Sequence, residues 1–193
     1  MNGLYHAAFE VEQFMRQQKW RFCLIGGLAV VRWGQPRATQ DVDFCLLTGF
    51  GGEQEYVDRL LARFPGRIED AKNFALRSRV VLARTERGVS LDIALAGIPF
   101  EEKVIDRASE FTFAEGISLT TASAEDLLVL KAFAARDQDW VDVRGIITRQ
   151  GDRLDWNYVL AELAILSEVK EDTDSLGRLE TIRQELSSGV KQQ

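Results

Sequence analysis

Apolar side chains in the first 120 residues come in short runs punctuated by glycine; beyond that they fall into longer stretches with helical spacing. A run of four to seven apolar residues closed by Gly-Gly or Gly-x-Gly is too short for a self-standing helix and reads as a strand. Such runs occupy residues 21–25 (RFCLI) and 41–47 (DVDFCLL); further strands are read over 74–83, 89–95 and 117–120, with Arg87-Gly88 placed to turn a hairpin between the third and fourth. Spacings of three and four mark helices over residues 5–18, 28–33, 53–64 and 99–108. Ser123 with Asp126 three positions on makes an acidic capping box for a helix through residue 135, followed by helices over 139–149, 156–167 and 175–186. Strands first and helices last imply an α+β chain, a mixed sheet flanked by helices with a C-terminal helical subdomain. The expected division is 1–120 for the α/β core and 121–193 for the helical part.

Composition narrows the chemistry. The 193 residues suit one domain, or one domain with a small appendage, and the net charge of −6 argues against a general nucleic-acid coat protein, which needs a lysine and arginine excess to displace counterions. His6 is the single histidine, and Cys23 and Cys45 each lie inside an apolar run, so a zinc site or a histidine-based triad has almost nothing to draw on. The thiols read as reduced core residues. The amino-terminal segment carries Glu10 and Glu12 rather than a basic start and apolar middle, and no run approaches a membrane span, so a cytoplasmic protein without membrane contact is expected. Catalysis must then rest on carboxylates, lysine, arginine or hydroxyls.

The segment IGGLAVVRWGQPRATQDVDF, residues 25–44, carries that chemistry. Asp41 and Asp43 stand at i and i+2 of a strand, so their side chains share a face. Two carboxylates there repel unless a cation lies between them, and magnesium, a hard ion that takes carboxylate and phosphate oxygens, is the natural candidate. Gly26 and Gly27 lie where a strand ends and a helix begins, leaving backbone N–H groups to meet a phosphate. Thr39 is placed to hydrogen-bond a phosphate or cap the turn. Asp92 sits in VSLDIAL, where a charge is costly unless paired, with Arg77 or Arg79 for instance, or bound to metal. Those two arginines, on one face of the expected strand over 74–83, belong to a basic stretch over 59–87 that reads either as a solvated rim or as a cradle for a triphosphate or an RNA.

These motifs together resemble the nucleotidyltransferase superfamily that includes DNA polymerase beta: a glycine pair, an acidic-x-acidic pair on a strand, then a later strand aspartate. Within it the chain is most similar to the AbiEii-type nucleotidyltransferases of toxin–antitoxin and abortive-infection systems, to which the MenT toxins are related. The likeness extends through RVVLARTERGVSLDIALAGIPFEEKVIDRA and through SAEDLLVLKAFAARDQDWVDVRGII, and covers residues 21–150. It implies that Asp41 and Asp43 hold Mg²⁺ against a nucleoside triphosphate, and that Asp92 completes a second metal site or acts as base on an acceptor hydroxyl. Gly26, Gly27 and Thr39 would cradle phosphate. Lys131 would neutralise charge on the triphosphate, with Asp139 and Asp142 orienting that lysine, binding nucleotide or facing Arg136. The implied reaction moves NMP from an NTP to an acceptor, a tRNA or a protein, with an antitoxin as partner. Two other readings share the fold: a non-catalytic nucleotide-binding or interaction module, and an antibiotic adenylyltransferase.

Overall fold

A computed structural model describes residues 2–172 and 174–190. The chain divides into two compact units, the first made of Met1–Ala29 with Ala38–Ala122, the second of Val30–Arg37 with Ser123–Gln193. Among the described residues no helix is long and apolar enough to cross a membrane.

The first unit holds α1 (Asn2–Gln17), β1 (Phe22–Ile25), the start of α2 (Gly26–Trp33), β2 (Asp41–Leu47), α3 (Glu53–Arg63), α4 (Ala71–Ser78), β3 (Val80–Arg84), β4 (Ser90–Ala96), α5 (Pro99–Asp106), β5 (Ser109–Ala114) and β6 (Ile117–Thr121). Its strands form one mixed six-stranded sheet in the order β3-β4-β2-β1-β6-β5. The β1–β2, β3–β4 and β5–β6 pairs are antiparallel, whereas β2–β4 and β1–β6 are parallel. Alternation along β2 and β4 buries Val42, Phe44, Leu46, Leu91, Ile93 and Leu95 and leaves Asp41, Asp43, Ser90 and Asp92 only half-buried. Burying each of those apolar side chains is worth roughly 1.5–3 kcal/mol, enough to lock the register. Because the period is two, that lock also decides which way the aspartates face. Cys23 stands opposite Cys45 across β1–β2, both buried as thiols.

Two elements depart from the sequence reading. Residues 74–83 are not one strand: α4 runs to Ser78, Arg79 turns the chain at φ 54°, and β3 begins at Val80. The contacts that decide this belong to Ala71 and Ala75, one helical turn apart and both buried, outweighing the strand propensity of the valines downstream. Arg77 and Arg79 therefore share no strand. The second departure is β5, an edge strand left unassigned above. Its residues SEFTFA are mostly exposed, so no apolar run announces it, and its pairing with β6 supplies the order.

The second unit contains α6 (Ala124–Ala134), α7 (Asp137–Gln150), a 3₁₀ turn at Gly151–Arg153, α8 (Trp156–Lys170) and α9 (Ser175–Val190). Ser123 caps α6, its Oγ accepting the Asp126 N–H at 3.1 Å, and Asp155 caps α8 by accepting the Tyr158 N–H at 3.1 Å. Asp126 is fully buried, and its carboxylate accepts the Tyr158 hydroxyl and the Ser123 hydroxyl, each at 2.5 Å. These bonds fix the entry to α6, the helix that carries Lys131.

Candidate functional site

The β2–β4 register sets Asp43 directly beside Asp92, and the β1–β2 register sets Ile25 on the other flank of Asp43. Asp41 lies two residues before Asp43 on the same face. Each of the three half-buried carboxylates offers an oxygen, and these oxygens all lie within 4.8 Å of one another. At that spacing two like charges repel strongly even at an effective dielectric constant near 20. The cluster could hold a divalent ion with hard oxygen ligands. The donor set, three carboxylates with no nitrogen or sulfur, fits Mg²⁺.

The chain around the cluster is shaped by two glycines. Gly26 follows β1 at φ +64°, and a Cβ built there would sit 2.0 Å from Asp43 Oδ2. A Cβ on Gly27 would meet Thr39 Oγ1 at 2.5 Å. Only glycine lets the first turn of α2 approach β2 this closely. The Gly27 N–H donates to Asp43 Oδ2 at 3.4 Å, and the Thr39 hydroxyl donates to Asp41 Oδ1 at 2.8 Å. In this structure, then, Thr39 and Gly27 orient the two β2 carboxylates.

Asp92 is held differently. Arg67 Nη2 donates to its Oδ1 at 2.5 Å. Burial pushes the Asp92 pKa up; the arginine works against that rise and the Asp41 charge adds to it. The expected partners Arg77 and Arg79 do not fill this role. Arg79 pairs with Glu53 and donates to the Leu95 and Gly49 carbonyls. The basic stretch over 59–87 does contain Arg67, but nothing in the pattern of charges distinguishes it from its neighbours. What singles it out is a short backbone pairing: Gly66 bridges Ala83, and the Arg67 N–H donates to the Leu82 carbonyl at 3.1 Å. Arg84, exposed on the same strand face as Leu82, is a second cation on this side of the sheet.

Lys131, Asp139 and Asp142 form a separate cluster within the helical unit. Lys131 Nζ lies 2.9 Å from Asp139 Oδ1 and 2.9 Å from Asp142 Oδ2, with the carboxylate side chains each 1% exposed. Arg136 Nε reaches Asp139 Oδ2 at 2.6 Å, and Arg37 engages Asp142 through Nε at 2.7 Å and Nη2 at 2.9 Å. Burial alone would raise both aspartate pKa values. Hydrogen bonds from the arginines and from Lys131 outweigh it, and both lie below the usual carboxylate value. The sequence pattern pointed to this lysine–aspartate grouping; Arg37, distant in the chain, was missed.

Comparison with known proteins now bears on this geometry. A family model described as the nucleotidyl transferase AbiEii toxin of a type IV toxin–antitoxin system matches residues 16–188. No curated protein sequence matches the chain. Among solved structures, an antigenic nucleotidyltransferase-like protein from Paracoccidioides brasiliensis is similar over 90% of this chain and 92% of its own, with a TM-score of 0.52 and 16% identity. That likeness concerns the fold. The lincosamide antibiotic adenylyltransferase LnuA, bound to lincomycin, covers 72% of this chain and 92% of its own at a TM-score of 0.46 and 16% identity. The antibiotic-resistance factor ANT(2'')-Ia covers 98% of this chain and 94% of its own at 0.47 and 14%.

Proposed function

The chain belongs to the AbiEii nucleotidyl transferase toxin family, and we propose that it moves the NMP group of a nucleoside triphosphate onto an acceptor hydroxyl in a Mg²⁺-dependent reaction. The observation that carries this reading is the convergence of Asp41, Asp43 and Asp92 within 4.8 Å on adjacent parallel strands. These three residues would hold the magnesium. When bound, the ion supplies positive charge against the triphosphate and the departing pyrophosphate.

The chain's own groups do the rest. Gly26 and Gly27 let the first turn of α2 lie against Asp43 and Thr39, which brings a helix N-terminus, a favourable place for phosphate, next to the carboxylates. Thr39 fixes Asp41, and the Gly27 N–H fixes Asp43. The acceptor oxygen forms a bond to the α-phosphorus, the bond to the bridging oxygen of pyrophosphate breaks, and the acceptor's proton must leave. Asp92 is placed for that last task, its carboxylate lying beside the β2 pair at the edge of the cluster. Lys131 spends two of its three N–H groups on Asp139 and Asp142. Its role in this proposal is to tie α6 to α7. For the acceptor we take the tRNA reading, in which exposed Arg84 is available to a phosphate. A protein acceptor and an antitoxin partner complete the family reading.

The test is incubation of the protein with each α-labelled NTP and a tRNA pool, with a protein mixture and a lincosamide in parallel. Label in RNA, lost in Asp43→Asn, supports the proposal. Label in protein or drug redirects the acceptor. Nucleotide binding with no transfer to any acceptor would show a non-catalytic module.

A further inference from the structure

One cation is built into the carboxylate cluster. Leu82 of β3 stands opposite Asp92 of β4, which stands beside Asp43 of β2, so Leu82, Asp92, Asp43 and Ile25 form one row across the sheet. The chain at 65–67 adds to the outer edge of that row. The Arg84 N–H donates to the Pro65 carbonyl at 3.0 Å, Gly66 bridges Ala83, and the Arg67 N–H donates to the Leu82 carbonyl at 3.1 Å. Arg67 thereby starts one strand spacing beyond Leu82, with its backbone anchored, and its long side chain spans Leu82 to place Nη2 2.5 Å from Asp92 Oδ1. Both partners are about one-third exposed, 29% and 31%, so the pair is open to competition from solvent ions.

We propose that Arg67 is a positioning residue for the carboxylate cluster: it holds the Asp92 carboxylate in line with Asp41 and Asp43 and offsets one negative charge of the cluster, both before and after a divalent cation enters. This rests on the reading of the cluster as a cation site. An anchored guanidinium fork restricts the carboxylate it binds, whereas a free aspartate on a sheet rotates between rotamers. With Arg67 in place one of the cluster's negative charges is offset, which moderates its attraction for a cation. Without it the cluster is more negative by one charge, and it attracts a cation more strongly while leaving Asp92 unaligned for the transfer step.

The experiment is a Mn²⁺ titration followed by electron paramagnetic resonance, without nucleotide, on the full chain. It compares wild type, Arg67→Gln, Arg67→Lys and Asp43→Asn. A unit charge about 6 Å from a divalent ion in a water-like dielectric predicts that Arg67→Gln binds Mn²⁺ on the order of tenfold more tightly than wild type. Arg67→Lys keeps the charge and retains wild-type affinity. Turnover of Arg67→Gln falls in kcat with little change in the KM for NTP. An exposed ion pair adds little stability, so thermal unfolding of Arg67→Gln stays close to wild type and separates the effect from misfolding. Unchanged or weaker Mn²⁺ binding in Arg67→Gln overturns the inference, as does equal tightening in Arg67→Lys. If wild type binds Mn²⁺ no better than Asp43→Asn, the cation-site reading itself fails; if wild type binds well and the glutamine variant does not differ, only the role of Arg67 fails.

Discussion

Replacing Lys131 by methionine keeps a long, unbranched side chain and removes one charge from the helical unit. The wild-type ammonium touches two carboxylates, each 1% exposed. Removing one partner of a buried ion pair costs about 3–5 kcal/mol when the remaining charge is left uncompensated. Here each carboxylate keeps an arginine, but Arg136 is 76% exposed and Arg37 28% exposed, so both compensate through partly solvated groups. The expected loss is therefore lower, about 2–3 kcal/mol. For a chain of this size that lowers Tm by roughly 5–10 °C. The assay is thermal unfolding followed by near-ultraviolet circular dichroism, for which Trp140, 4% exposed on α7, is a local probe. The acid response gives a second reading. The folded pKa values of Asp139 and Asp142 lie below their ordinary value of 3.8. Their contribution is fully present above that pH and is lost as pH falls toward the lower folded values. Lys131 causes part of the lowering, so the variant loses less additional stability than wild type below about pH 4. A variant whose Tm matches wild type at neutral pH would refute the argument that the ammonium ties α6 to α7.

Asp43→Asn removes one of three clustered charges. Magnesium at 100 times its Kd adds about 2.7 kcal/mol to wild-type stability. Differential scanning calorimetry should show that rise in wild type and none in the variant; equal rises would place the ion elsewhere. Gly26→Ala puts a Cβ 2.0 Å from Asp43 Oδ2 at a backbone φ of +64°. A left-handed alanine costs roughly 1–2 kcal/mol and overpacking roughly another 1–3. Both Tm and turnover should fall, and a variant that unfolds and turns over like wild type would contradict the close approach of α2 to β2.

The parts of the fold visible in the sequence are those where burial and periodicity agree. DVDFCLL shows both its strand and the shared face of its two aspartates, because apolar residues alternate with them. Ser123 marks the start of α6 by a local hydrogen bond that needs no tertiary context. Helix α4 was missed because its decisive contacts, through Ala71 and Ala75, are tertiary and carry no strong propensity. β5 was missed because an exposed edge strand needs no apolar run. At the site, the strand register that brings Asp92 to Asp43 is a long-range pairing; the lone charge inside VSLDIAL signalled only that this aspartate needs a partner, an arginine or a metal. Arg67 and Arg37 gave no such sign. A surface arginine is ordinary in sequence, and each acquires its partner only through the fold, 25 and 105 residues distant.

The central claim is that Asp41, Asp43 and Asp92 form one divalent-cation pocket. Crystals soaked in Mn²⁺ with a non-hydrolysable NTP, measured at an anomalous wavelength, test it most directly. The account predicts an anomalous peak bounded by oxygens of all three carboxylates with the triphosphate beside it. A peak elsewhere, or a triphosphate seated away from these aspartates, would contradict it.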